Sequence, residues 1–489
     1  MSRWSVPVAT LSLVGWVLLL VVSALVMRAH PPEDGVLRGV ETIVASGSRV
    51  RWTGAHGREG ESVAAVQRLG EARLGEPRFE VWREALWGPA VTNVRVEESA
   101  AVADDGGQGE HAHAPMQPYR VVIDHPLSFA EAAYASMSSW WIRGGFALLV
   151  AALWWGGSSR HAAALALLLG TVRSLQPGWL LDSDPAQYHA SALALLDGSW
   201  PNLLWPPAWP VGWALVGGGV VAGRVLGAGL IAATALACRD GRTALLVAVS
   251  AELIGFGPAL YSDPLFVLAG VSLVIASAAP RALSWTAAAL AGALAMLTRA
   301  HSLLVVPFVL RGRGRWLCLA IVGAWVAVVS VRAGHLVVIS DSAGVNLWIG
   351  HGPGATGDWR DPGPEPAGGW LAATMSTIGE APGAALTQCL RTSLRLWSFS
   401  TSDRSLATRP LPLPLLPFGG MVVLAAVGAA RAWRRGFGPV DRVALRWLVL
   451  TTLATSLFFA PPRYKLALVP GLLPLASVAI GAGPVTRRA

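Results

Sequence analysis

Asp182 and Asp184 open the stretch DSDPAQYHASALALLDGSWPNLLWPPAWP, residues 182–210, which follows directly on a hydrophobic span. Carboxylates held at a membrane surface cost desolvation energy unless they are paired or at work. Pro185 suits the first turn of a helix and Asp184 its N-cap, and apolar positions at helical spacing give a segment lying flat on a membrane. One cap needs one aspartate, so the second carboxylate asks for chemistry, either proton transfer or ligation of a hard cation. A third, Asp263, precedes Pro264 at the start of a later apolar run, and Arg299, Arg463 and Lys465 supply positive charge of the kind that holds phosphate oxygens.

The elements that must position these residues are those of a membrane protein. Of 489 residues, 53% are hydrophobic and only 14% charged, and the mean hydropathy is +0.50, too apolar for an ordinary soluble enzyme. A net charge of +9 could suggest nucleic acid, but the arginines lie in short clusters between apolar runs and read as topology signals, so no nucleic-acid partner is expected. The three cysteines, Cys238, Cys318 and Cys389, are far apart and lack the spacing of a disulfide framework or a zinc site.

Three regions follow. Residues 1–29 form an apolar signal anchor or first membrane helix, and residues 30–139 a small extracytoplasmic soluble domain of α+β type, with helix-like ESVAAVQRLGEARLG, an alternating run at Phe79–Trp82 and a strand at Tyr119–Ile123. His111 and His113 in its Gly-rich tail have no further ligands beside them and read as solvated. Residues 140–489 form the multi-span core, mainly α, with spans expected near 141–158, 162–181, 221–238, 243–260, 264–279, 283–298, 301–311, 316–333, 412–430, 446–460 and 466–483. With the anchor, the chain is a polytopic helical bundle of roughly a dozen spans. An inside N-terminus puts Arg160, Arg239, Arg242, Arg281, Arg311 to Arg315 and Arg431 to Arg442 on the cytoplasmic side of a plasma (inner) membrane. The 30–139 domain, the loops 182–220 and 334–411, Asp263, Arg299 and the Arg463–Lys465 pair then share the external, periplasmic face. Arg224 and Glu252 lie inside apolar spans, where an ionisable residue is by default functional or paired, pairing with each other being the simplest arrangement. Trp140, Trp141, Trp200, Trp205 and Trp209 read as interfacial belt residues.

Five segments, in order, resemble the GT-C-fold glycosyltransferases that use polyprenyl-phosphate sugars, the superfamily of protein mannosyltransferases and lipid A aminoarabinose transferases. Asp184-x-x-x-Tyr188, followed by Gly198 and Pro206-Pro207, looks like the first external loop of that family. Ser262-Asp263-Pro264-Leu265 resembles its second acidic position. AGALAMLTRAHSLLVVP, residues 291–307, is similar to its GLA.LTRP…P stretch, with Ala300 where proline is usual. GVNLWIGHGPGATGDW, residues 344–359, resembles its G.NL..GNNP.ATG segment, with His351 and Gly352 in place of the asparagines. PPRYKLALVP, residues 461–470, resembles the RY..P motif before the last span. The Glu-Lys pair that precedes the double proline in aminoarabinose transferases is Leu204-Trp205 here.

The resemblance implies a membrane glycosyltransferase that moves a sugar, with inversion, from a polyprenyl-phosphate donor to an extracytoplasmic protein, lipid or polysaccharide acceptor. Asp184 would be the carboxylate nearest the acceptor, with Asp182 and Asp263 completing a site for a divalent cation such as Mg2+ or Mn2+. Arg463, Lys465 and Arg299 would hold the donor phosphate, and Tyr188, Asn346 and His351 would contact substrate. A transporter or lipid-linked sugar flippase would share the span count and the charges inside spans, but would show internal repeats, and none is evident. A binding module at 30–139 that the spans merely anchor would leave the external motifs unexplained.

Overall fold

The computed structural model describes residues 5–29, the strands between 39 and 124, and, with short breaks, 133–174, 183–356, 362–398 and 411–481. Eighteen α-helices form among these residues, and the chain is mainly α. In the 30–139 region, strands β1 (Gly39–Ser46), β2 (Arg49–Gly54), β3 (Arg58–Ser62), β4 (Asn93–Glu98) and β5 (Gln117–Asp124) make one antiparallel sheet in the order β3-β2-β1-β5-β4. The strand expected at Tyr119–Ile123 lies within β5. The expected helix that begins at Glu61 lies, past Ser62, outside the described residues, as do Phe79–Trp82, His111 and His113.

The bundle is organised around its last helix, Val469–Ala479, which is buried along its whole length. A helix apolar on every side has to sit at the centre of the helices around it. Three neighbours grip it at close range. A Cβ on Gly428, in helix Phe418–Arg435, would lie 1.8 Å from the Leu475 carbonyl oxygen, and one on Gly270, in helix Asp263–Ser277, would lie 2.5 Å from Pro470. Gly471 itself faces Leu448 and the Ala444 carbonyl of helix Pro439–Ser456, at 2.6 and 2.8 Å from a built Cβ. Small residues permit this approach, and in an apolar solvent close van der Waals packing is what holds helices together.

Of the dozen expected crossings, three helices among the described residues are long and apolar enough to span a membrane: Val6–Val26, Val220–Ala237 and Gly312–Ala333. The other apolar runs fold into shorter pieces, among them Asp263–Ser277, Ser284–Thr298 and Ala300–Val309. The run at 243–260 shows why. Ser250 caps a new helix by accepting from the Leu253 N–H, its backbone bridges to Leu416, and Gly257-Pro258 tighten the next turn into a 3-10 helix. One hydropathic stretch thereby becomes helices Gly241–Ala248 and Ala251–Phe256.

Two further expectations are corrected. Arg224 and Glu252 do not pair with each other. Glu252 accepts from the Phe418 N–H at 2.8 Å, and Arg224 donates to the Ser174 carbonyl at 3.3 Å on another helix face. Trp209 is not a belt residue but a fully buried anchor, whose indole N–H donates to the Leu260 carbonyl at 2.8 Å, while Trp140 is 79% exposed as a belt residue would be.

The glycine contact generates a prediction. Gly428→Leu forces helix Phe418–Arg435 off the last helix and lowers stability by at least about 1–3 kcal/mol. Gly323→Leu, with nothing within 4 Å of its Cβ, leaves stability near wild type. Thermal unfolding of the two purified variants in one detergent checks the contrast.

Candidate functional site

The helix Ser183–Leu196 places Asp184 in its first turn rather than at the cap. A carboxylate there complements the helix dipole. Gly198 closes the helix in the left-handed region, at φ 72°, with its N–H on Leu195 O and the Ser199 N–H on Ala194 O, the paired bonds of a Schellman end. The chain then turns through Trp205 and Pro206 into helix Ala208–Leu215, whose Trp209 and Trp213 pack with Tyr188, Ala192 and Leu260. This apolar knot fixes the Asp184 face of the first helix against the segment that leads into Asp263.

Asp263 opens helix Asp263–Ser277, with Pro264 at its first turn, and Arg299 stands in extended conformation just past helix Ala282–Thr298. The two helices form a hairpin, so its open end brings acid and base together. Arg299 Nη2 donates to Asp263 Oδ1 in a pair whose side chains are 8% and 1% exposed. Arg463 Nη2, from the 3-10 helix Pro462–Leu468, donates to Asp184 Oδ2.

Aromatic rings tie the two ion pairs together. The Arg463 guanidinium lies 4.3 Å from the Tyr261 ring centre, and Tyr464 has the Arg299 guanidinium at 4.5 Å and that of Arg463 at 5.8 Å. Each such cation–π contact is worth about 0.5–2 kcal/mol, more where water is excluded. The Tyr188 hydroxyl is 3.5 Å from Ser262 Oγ, and its ring meets Trp205 edge-on. Burial, and then the Asp184 carboxylate, push the Tyr188 phenol well above the usual tyrosine range, so it stays neutral and keeps its proton to donate. Burial works against the charge on Arg463, but Asp184, the two tyrosines and Asp263 outweigh it and hold the guanidinium more firmly protonated than usual.

These groups line a cavity of about 240 Å3. Asp184, Tyr188, Arg299, Arg463 and Asn346 all reach its wall, with Trp205, Leu303, Leu304, Val338 and Phe458 as its apolar part. Asp263 stands behind, holding Arg299. His351 and Lys465 point elsewhere. His351 Nε2 donates to the Leu457 carbonyl at 3.0 Å, and the Lys465 ammonium is 5.9 Å from the Phe418 ring, near Glu252, with burial lowering its pKa. Asp182 lies outside the described residues. Tyr261, Tyr464, Ser262 and His301 also belong to the site; the last three stand inside the segments that carry the resemblance, whereas Tyr261 has no signal in the sequence beyond sitting two residues before Asp263.

Of the site's expected carboxylates, Asp184 is held by Arg463 and Asp263 by Arg299, and among the described residues no group of three His, Cys, Asp or Glu side chains comes together. Asp182, the third carboxylate of the expected divalent-cation site, lies outside the described residues, and the charge that faces the two described carboxylates is guanidinium. An amphiphile fits this arrangement, with an anion at Arg463 and Arg299, an apolar part along Leu303, Leu304 and Phe458, and a carboxylate at the polar wall.

Two predictions follow from these surroundings. Asp263→Ala leaves Arg299 buried and costs about 3 kcal/mol, Arg299→Ala costs a similar amount, and the double variant costs less than their sum. Chemical denaturation of all three measures the coupling. Burial holds the His351 imidazole below its ordinary pKa, partly offset by the Leu457 bond, so its contribution to stability is present above about pH 6.5 and lost as pH falls. The thermal midpoint accordingly drops between about pH 7 and pH 5, and His351→Gln shrinks that drop. A wild-type-sized drop in the variant assigns it to other groups.

No protein-family model, no curated protein and no solved structure matches this chain.

Proposed function

We propose that the chain is a membrane glycosyltransferase that uses a polyprenyl-phosphate sugar and delivers it to an acceptor on the extracytoplasmic face. The observation that carries this reading is convergence. The five separate segments that resemble the GT-C glycosyltransferases each contribute to one cavity: Asp184 and Tyr188, Ser262, Arg299, Asn346, and Arg463 with Tyr464. Segments dispersed over some 280 residues have no structural need to share a wall, whereas a site does.

In this reading the donor phosphate exchanges onto Arg463 and Arg299, whose fork geometry suits phosphate oxygens. That frees the Asp184 carboxylate to accept the proton of an acceptor hydroxyl or amine. The acceptor atom attacks the anomeric carbon from the face opposite the phosphate, its bond to carbon forms, and the bond from carbon to phosphate oxygen breaks. The electron pair leaves with the phosphate, whose charge the two guanidiniums neutralise. Single displacement gives inversion. The neutral Tyr188 phenol and Ser262 are donors for sugar or phosphate oxygens, and the apolar wall receives the first isoprenoid units.

The same reading takes the shorter helices as crossings made by two pieces end to end or where the bilayer thins, for about a dozen in all, in a plasma membrane with the cavity facing outward. Trp205 stands where aminoarabinose transferases carry lysine, which counts against that substrate class.

In membranes carrying the chain, transfer of labelled sugar from a polyprenyl-phosphate donor falls at least about 100-fold in Asp184→Asn at equal protein level. Wild-type turnover by that variant removes Asp184 from the chemistry and with it this assignment.

A further inference from the structure

A second cavity, of about 270 Å3, lies at the other end of the same helices. Helix Asp263–Ser277 starts at the first site and ends at the second. Helix Ala282–Thr298 runs back between them, and Pro439–Ser456 passes from Arg442 at the second to Thr455 at the first. At 1.5 Å per residue the two cavities are roughly 20 Å apart, too far to share a ligand headgroup.

The wall of this cavity holds Arg311, Arg442 and Arg446 and no carboxylate. Arg442 and Arg446 are one turn apart on a single helix face, and Arg311 flanks the start of helix Gly312–Ala333 from across the opening. The nearest acid on their helix, Asp441, is committed to Arg435 at 3.0 Å and to the Gly438 N–H at 2.9 Å. Among the described residues none of the three arginines has an ion-pair partner. Arg315, one turn on from Arg311, differs, because its fork is spent on the Leu310 carbonyl at 3.2 and 3.0 Å. Arg313 and Arg434 are as exposed as Arg311 and Arg442 but stand outside the wall, as arginines that only set topology would.

Three guanidiniums around one cavity repel one another until an anion joins them. The rest of the lining says which anion. Trp285, Leu310 and Val443 provide an apolar floor, and the Ser277 hydroxyl is buried with no hydrogen-bond partner among the described residues. We propose that this cavity is a phosphate-binding site, in which Arg311, Arg442 and Arg446 hold phosphate oxygens and the apolar floor takes the chain of a lipid that carries the phosphate. It is separate from the Asp184 cavity and needs no particular reading of that cavity.

The test is lipid retention by the purified full-length chain in native mass spectrometry, titrated with phosphatidylglycerol or with phosphatidylcholine. Wild type retains phosphatidylglycerol in preference, and Arg442→Gln/Arg446→Gln weakens that retention at least about tenfold. Arg313→Gln/Arg434→Gln removes the same charge outside the wall and retains lipid as wild type does. Inorganic phosphate then separates the sources. Failure to displace the lipid assigns the site to a lipid headgroup, and displacement assigns it to phosphate as such. Equal retention by wild type and Arg442→Gln/Arg446→Gln, or equal loss in both double variants, overturns the proposal, and unchanged thermal midpoints show that each variant is folded.

Discussion

The Asp184–Arg463 ion pair is the interaction on which the site depends. It joins residues 279 positions apart, and either partner without the other would be a largely buried, uncompensated charge. Burial opposes the charge on the guanidinium, the carboxylate restores it, and Tyr261 and Tyr464 cover it from water. Everything nearby serves to keep this pair in register. The tryptophan knot sets the Asp184 helix, and the fully buried last helix sets the Arg463 turn. Under the proposed function this is the pair that exchanges, an arriving phosphate taking over the guanidinium and returning the carboxylate to proton chemistry.

The sequence made the site's charged residues legible and left their arrangement hidden. Asp184, Asp263, Arg299 and Arg463 stand out because charge beside an apolar run is expensive, whatever the fold. That Asp263 serves Arg299 while Asp184 serves Arg463 could not be read, since pairing depends on which helix ends meet. The tyrosines illustrate the same limit. Tyr464 adjoins Arg463 in sequence, yet its ring is closer to Arg299, 165 positions away by number, and only the hairpin explains why. Lys465 shows the reverse, for a neighbour of Arg463 in sequence turns to Glu252 and Phe418 because consecutive residues of a tight helix diverge.

The fold itself was legible as helical and apolar, less so as a set of crossings. A hydropathy window averages over breaks, so Ser250 and Gly257-Pro258 disappear inside a stretch that composition reads as continuous. Partner choice within the apolar runs is hidden for a related reason. Arg224 and Glu252 share an apolar context, but context carries no azimuth, and each faces a different neighbour.

Azimuth is also what the glycines around the last helix supply. With Gly428 against Leu475, Gly270 against Pro470 and Gly471 against Ala444, that helix is keyed on three sides, like a shaft in a slotted bearing. Turning it by one residue, about 100°, would carry Gly471 off the Ala444 carbonyl and bring other side chains into the tight gaps that Gly428 and Gly270 leave. The chain direction entering it is fixed by the same contacts, and the turn that carries Arg463 is the last stretch before it. Three residues without side chains, well away from the cavity, therefore set the angle at which its principal cation arrives.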